Sequence, residues 1–429
     1  MKLTLFPADK GDCLLLTGSR GERVLIDGGM SASFAEGPAQ ALAKLKRLDV
    51  VCVSHIDQDH ISGILRMMDD LVAWRVHRYQ VETGNGDHEP PAVPEPPPIG
   101  EIWHNAFHEQ VGKNSGAIEE TLAATSAVLS GGDTRKIQDL AQSHRDLAAS
   151  VREAIQLSRR IDEATLNIPL NRPAKGGLLF AREEPTIVRL GRMTITVIGP
   201  FEEDLRNLRD DWNEWLGKNR AALAEIEKEA RDVAGRVATT EIQRTVGVAL
   251  VQARILGDRR RVTVPNLASI MLLVEENGRL LLLTGDGHGD DVLKGLEQAG
   301  RLDEGGGTHV DVLKVQHHGS EHNIDADFCR SVTADHYVFC ANGAHENPDL
   351  AVIDAVINSR VGSSKERSPN PQAGQPFALW FNSSSAVSET DDGKSHMKEV
   401  ENLVRDRQRR GIRAVFRRTK TTGLDVPIA

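Results

Sequence analysis

Cysteine is scarce: the 429 residues hold four thiols (Cys13, Cys52, Cys329 and Cys340), none in CxxC spacing. That excludes a disulfide framework and a thiolate zinc site, and makes a reducing cytoplasm the expected compartment. No apolar run reaches eighteen residues, so no transmembrane helix is expected. The opening MKLTLFPADKGDC turns charged and glycine-containing too early for a secretory signal. Positive charge is also short, with 52 Lys and Arg against 62 Asp and Glu and a net charge of −10. A protein that coats duplex DNA shows the opposite sign, so any nucleic-acid contact must be local. There is no P-loop, dinucleotide fingerprint or GxSxG elbow, which sets aside kinases, dinucleotide enzymes and serine hydrolases. No repeat recurs at solenoid periods. What is present, 39% hydrophobic and 27% charged residues, is the composition of a globular chain of one large domain or two ordinary ones.

Short β-rich runs alternate with turn chemistry in the first third. LTLF, DCLLLTG and ERVLIDGG read as strands, the last two joined through a turn near Gly18 to Gly21. An amphipathic stretch from Ala39 to Leu48 precedes DVVCVS, a continuous run of the kind buried on both faces. A helix signal, ISGILRMMDDL, follows. Residues 83–100 carry six prolines after a TGNGD turn and read as a loop. From about 115 to 165 the period is helical, with Leu147, Val151, Ala154, Ser158 and Ile161 on one face. A strand pair is expected at 186–199. Residues 201–240 suggest a helical hairpin that could act as a lid, a partner-docking arm or a self-packed insertion. SIMLLVEENGRLLLLTGD reads as a hairpin turning at Asn277-Gly278. DVLKVQHHGS and DHYVFCANG read as buried strands, each followed by a helix, and 413–428 as a last strand pair.

The sharpest chemical signal is Ser54-His55-Ile56-Asp57-Gln58-Asp59-His60, placed between a buried strand and a helix. Four ligand-type side chains fall within six residues, on a turn able to aim them inward together. A polar turn that merely caps the helix would need one such residue, not four. Two later strands end the same way, LLLTGD with Asp286 and LKVQHHGS with His317 and His318. Three strand ends of this sort, far apart in sequence, are best explained by convergence on one sheet edge.

HIDQDH, the upstream LIDGG, LLLTGD and HHGS, in this order, resemble the metallo-β-lactamase fold of metal-dependent hydrolases. Within it the likeness is to the hydrolase domain of DNA-uptake competence proteins and to phosphorylcholine esterases. It covers about residues 1–110, 185–200 and 262–360. The resemblance implies an αββα sandwich of the α+β class, two packed mixed sheets with helices outside. Residues 1–110 would form its first half, 185–200 its middle strands and 262–429 its second half. Residues 111–184 would be a helical insertion and 201–261 a helical hairpin insertion.

It also implies a dinuclear site at one edge of the sandwich. By likeness His55 and Asp57 bind the first metal, Asp59, His60 and His317 the second, and Asp286 bridges both. Asp27 of LIDGG would support the ligand loop by hydrogen bonds from outside the coordination sphere. The family's commonest motif has His where Asp57 stands; the added oxygen shifts preference from zinc toward manganese without excluding zinc. The usual third histidine of the first site has no clear match, and His104 is the candidate, ahead of His108 and His144. Asn266 to Ser269 match a stretch that precedes TGD in competence-type relatives, or else a plain polar strand entry. His345 stands where relatives contact substrate. The basic residues from Arg405 to Lys420 read either as a phosphate track or as a solvated face.

Such a site holds two divalent ions, Zn²⁺ or Mn²⁺, about 3.5–4 Å apart around a bridging hydroxide, suited to in-line displacement at phosphorus. Asp59 would act in catalysis as a ligand, and His318 would contact a phosphate oxygen or protonate the leaving group. The expected activity is a cytoplasmic phosphodiesterase or nuclease, with nucleic acid as partner and no membrane. One alternative is a small-molecule phosphodiesterase or esterase. Another is an effector subunit whose hydrolase site is gated by a protein bound at the helical insertions.

Overall fold

Val50 and Cys52 of one strand face the layer between two sheets, while Val51 and Val53 face helices outside it. Leu281 and Leu283 point inward in the second sheet while Leu282 points outward, by the same period of two. Strands apolar on both sides must be covered on both sides, and the result is four layers. In this computed structural model the described residues are 1–85, 87–105, 153, 154, 156–206, 264–407 and 411–428. The readings placed on 106–152 and 207–263, including His108, His144 and most of the expected helical hairpin, lie outside them.

Six strands form the first sheet: β1 (Lys2–Leu5), β2 (Leu14–Thr17), β3 (Arg23–Ile26), β4 (Leu48–Val53), β5 (Ile99–His104) and β14 (Leu424–Pro427), in the order β14-β1-β2-β3-β4-β5. The second has eight: β6 (Ile187–Leu190), β7 (Met193–Gly199), β8 (Met271–Glu276), β9 (Arg279–Leu283), β10 (Thr308–Lys314), β11 (Val332–Phe339), β12 (Phe377–Phe381) and β13 (Ile412–Phe416), in the order β13 to β6. Both sheets are mixed: β3 to β5 and β9 to β13 run parallel, the rest antiparallel. Helices α1 (Ser31–Glu36), α2 (Pro38–Leu42) and α3 (Gln58–Glu82) cover the first sheet through Phe34, Leu42, Ile61, Ile64 and Met68. The short α4 (Val264–Leu267) leads into β8. Helices α5 (Gly289–Gln298), α6 (Ala326–Ser331), α7 (Leu350–Val361) and α8 (Asp391–Arg407) cover the second sheet. Among the described residues, no helix is long and apolar enough to cross a membrane.

Four features differ from the sequence reading. Strand β5 emerges from the end of the Pro-rich loop, and β12, FALWF, was not anticipated. The tail strands are not a pair: β13 lies beside β12 in one sheet and β14 beside β1 in the other. Ala154, Leu157 and Ile161 pack into the core beneath α3, so this part of the expected insertion belongs to the layered body.

The chain crosses between sheets at Arg417, which is buried rather than part of a basic surface. Its guanidinium donates to Leu5 O at 2.7 Å in the first sheet, to Asn382 O at 2.9 Å next to the second, and to Thr422 O. Arg407 pairs with Asp354 and Lys420 with Glu389 nearer the surface, so these two cations of the cluster have acidic partners within the chain. Arg417→Met should destabilise the protein by more than about 3 kcal/mol, since each buried carbonyl left unpaired costs about 1–3 kcal/mol. Urea unfolding measures this, and a loss below about 1 kcal/mol would contradict the linking role.

Candidate metal centre

Parallel strands bring their carboxyl ends to one edge, and the turns after β3, β4, β9 and β10 carry the predicted residues. After β3, Asp27 takes a left-handed backbone (φ 57°) that turns its carboxylate back under the next strand exit. Its Oδ1 accepts from Ser54 N–H at 2.7 Å, and its Oδ2 accepts from Ser54 Oγ at 2.7 Å and His60 Nδ1 at 2.9 Å. This fixes the His60 ring with Nε2 forward. The first turn of α3 reaches this position because Gly28 and Gly63 meet backbone to backbone; a Cβ on Gly63 would lie 2.1 Å from Gly28 O.

Asp57 is the N-cap residue of α3, yet its carboxylate makes no capping hydrogen bond. It stands 3.7 Å from His55 Nε2 instead. That Nε2 is buried and has no hydrogen-bond partner, although Nδ1 of the same ring meets Ser54 Oγ at 3.0 Å. After β9, Asp286 is oriented by Ser269 Oγ, which accepts its N–H at 3.1 Å, and by Asn323 Nδ2, which donates to its carbonyl at 2.8 Å.

The two adjacent histidines do not continue an extended strand. Both have left-handed backbones (φ 42° and 58°) in the tight turn Gln316–Gly319, so the alternation expected of a strand end does not hold. His318 is the inner one. Its Nδ1 donates to Cys340 O at 2.7 Å. Its Nε2 lies 3.3 Å from Asp286 Oδ2, 3.4 Å from Asp59 Oδ2 and 3.4 Å from His60 Nε2. His317 sits at the rim with a quarter of its side chain exposed, Nδ1 on Asn323 Oδ1 at 2.7 Å and Nε2 3.8 Å from Asp286 Oδ2.

His104 closes β5 beside Val53, buried, with its backbone N–H and carbonyl both held by the Asn171 amide at 2.8 Å. Among the described residues it is in neither group able to hold a metal; these are His55, His60 and Asp286, and Asp12, His60 and His318. His345 occupies an exposed turn, Ala344–Glu346, whose loop reaches the HHGS turn where Asp349 N–H donates to Gly319 O at 3.0 Å. Ser269 and Asn266 both reach the site, Asn266 Nδ2 lying 3.3 Å from His317 Nε2.

Three participants were not anticipated. Asp12 and Lys314 form a buried pair at 2.6 Å, and Asn323 joins His317 to the Asp286 turn. A lysine inside the apolar run VLKVQ was the available signal for Lys314, and Gly-Asp before an apolar strand that for Asp12. Asn323 has no local signature.

The electrostatics call for positive charge. Burial pushes the Asp286 carboxyl up, but His318, His60 and Lys314 outweigh it and hold it well below the usual range. Asp59 is likewise lowered against its burial, chiefly by His318. Asp12 falls to about 2, burial being outweighed by Lys314. Conversely, Asp286 and Asp27 raise His60 well above the ordinary histidine range despite burial. Among the described residues of the cluster, Lys314 is the one fixed cation facing Asp12 and Asp286. His60 and His318 present Nε2 atoms to each other at 3.4 Å, too close for two protonated rings to be comfortable. Divalent cations would satisfy the same carboxylates, the orphaned His55 Nε2 and both facing rings. The residues therefore fit a metal.

A model of the metallo-beta-lactamase superfamily matches residues 7–129. Among solved structures, Zn²⁺-bound PqqB from Methylobacterium extorquens matches at 8% identity over 100% of both chains, with a TM-score of 0.33. No curated protein matches the sequence. The two packed mixed sheets with outer helices form a metallo-β-lactamase fold. Fold and cluster together point to a metal-dependent hydrolase. The finer likeness to the competence hydrolase domain has no counterpart in these matches.

Proposed function

We propose that this protein is a metal-dependent phosphodiesterase with a dinuclear centre. The observation that carries the reading is Asp286 Oδ2, which lies 3.3–3.9 Å from the ring nitrogens of His55, His60, His317 and His318, with Asp57 and Asp59 flanking it. His55, Asp57 and Asp286 would hold one ion, and Asp59, His60, His318 and Asp286 the other. This assignment exchanges the roles of the adjacent histidines relative to the sequence reading, because His318 is inside the ring of ligands and His317 at its mouth. Two divalent ions would supply an activated water and a clamp on the attacking and leaving oxygens of a phosphodiester. The oxygen-rich first set suits Mn²⁺ as well as Zn²⁺.

His317 then holds a proton position toward substrate. Its Nδ1 donates to Asn323 Oδ1 at 2.7 Å, so Nε2, which Asn266 Nδ2 approaches at 3.3 Å, is the accepting nitrogen and would take a proton from the attacking water before returning it to a leaving oxygen. Burial lowers its pKa below the ordinary histidine value. The net charge of −10 favours a small phosphodiester as a second reading beside nucleic acid.

Purified protein assayed on single-stranded DNA, duplex DNA, RNA and bis(p-nitrophenyl) phosphate, each with Mn²⁺, Mg²⁺ or Zn²⁺, tests the proposal. Cleavage of any of them that chelator abolishes and metal restores supports it; no metal-dependent cleavage of any would contradict it. Cleavage confined to the chromogenic ester would select the small substrate. Asp27→Ala should weaken metal binding about 10–100-fold, because it frees the His60 ring without removing a ligand. Chelator competition measures this, and unchanged affinity would remove Asp27 from its supporting role.

A further inference from the structure

Lys314 is a lysine where the strand pattern asks for an apolar side chain. It ends β10 between Leu313 and Val315, its side chain is 1% exposed, and its Nζ lies where the two sheets meet. An ammonium this deep needs an oxygen for each of its three protons. It has Asp12 Oδ2 at 2.6 Å, the Gly285 carbonyl at 2.8 Å and Asp286 Oδ1 at 3.4 Å. Each carboxylate thus has one oxygen engaged and the other turned away. For Asp286 the other oxygen is Oδ2, the atom that faces the four histidines. For Asp12 it is Oδ1, which makes no hydrogen bond and lies 3.3 Å from His318 Nδ1.

We infer that Lys314 is a positioning residue for the metal centre: it takes one oxygen from each of Asp12 and Asp286, and so fixes which oxygen of Asp286 would meet a metal. The inference rests on the ligand role proposed above for Asp286. A carboxylate free to turn would bind through either oxygen or both. The engaged ammonium restricts Asp286 to one. Charge alone would act in the opposite sense, since a cation beside a cation site repels the metal and its removal would tighten binding. Position and charge therefore predict opposite signs.

The test uses the full-length protein, Lys314→Met, and the double variant Asp12→Asn with Lys314→Met, which leaves no lone buried carboxylate at Asp12. Mn²⁺ and Co²⁺ affinities are measured by chelator competition, together with the visible absorption bands of the Co²⁺-loaded proteins. Both variants should bind roughly 10–100-fold more weakly than wild type. Their Co²⁺ bands should shift in position and intensity while far-UV circular dichroism stays unchanged. Equal or tighter binding with wild-type bands, in either folded variant, would overturn the inference. If Lys314→Met does not fold, the double variant decides alone. Wild-type protein that binds neither metal would overturn the ligand roles themselves, and this inference with them.

Discussion

His60→Ala should emerge from dialysis without bound metal and without measurable turnover. His60 is placed at the centre of the site from both sides, by Asp27 on Nδ1 at 2.9 Å and by Asp286 Oδ2 3.4 Å from Nε2. Partners that only orient a ligand are worth about 10–100-fold in affinity, so removing the ligand should exceed about 100-fold. The layers should survive, because the apolar contacts that join α3 to the first sheet come from Ile61, Ile64 and Met68 on its other positions. Elemental analysis after dialysis, far-UV circular dichroism and hydrolysis of bis(p-nitrophenyl) phosphate read the three expectations. Full metal content and full turnover in a folded variant would remove His60 from the site.

The second large effect separates the neighbours at 317 and 318. His318→Ala should lose metal, because its Nε2 stands within 3.4 Å of Asp59, His60 and Asp286. His317→Ala should keep metal and lose roughly 10²–10⁴-fold in turnover of a substrate with an alkoxide leaving group, the range expected of general acid–base catalysis. p-Nitrophenolate departs without a proton, so it should recover much of that loss. Metal retained in His318→Ala and lost in His317→Ala would restore the roles read from sequence. Equal metal loss in both would end the acid assignment for either.

The two layers of strands were legible wherever a run was apolar on both faces, as in Val50 to Val53 and Leu281 to Leu283, since burial on both sides leaves a pattern in the chain itself. Placement in one sheet or the other was not. Strands β13 and β14 follow each other closely, yet Arg417 and its carbonyl partners hand the chain across the sandwich, and no local propensity records such a crossing. The ligand candidates were legible because His55, Asp57, Asp59 and His60 are crowded into one turn. The order of His317 and His318 was not, because it depends on two left-handed backbone angles in a turn read as extended. Asp12, Lys314 and Asn323 are single residues whose meaning comes from partners far away in sequence. Lys314 meets Asp12 only because the two sheets close on each other.

The most direct test of the central claim is metal content measured together with phosphodiester hydrolysis on one preparation of the wild-type protein. Stripped protein titrated with Mn²⁺ or Zn²⁺ should take up two equivalents, and bis(p-nitrophenyl) phosphate hydrolysis should rise from baseline with occupancy and fall again on chelation. Hydrolysis at full rate in stripped protein, or saturation with metal that brings no hydrolysis of this ester or of any nucleic acid, would contradict the account.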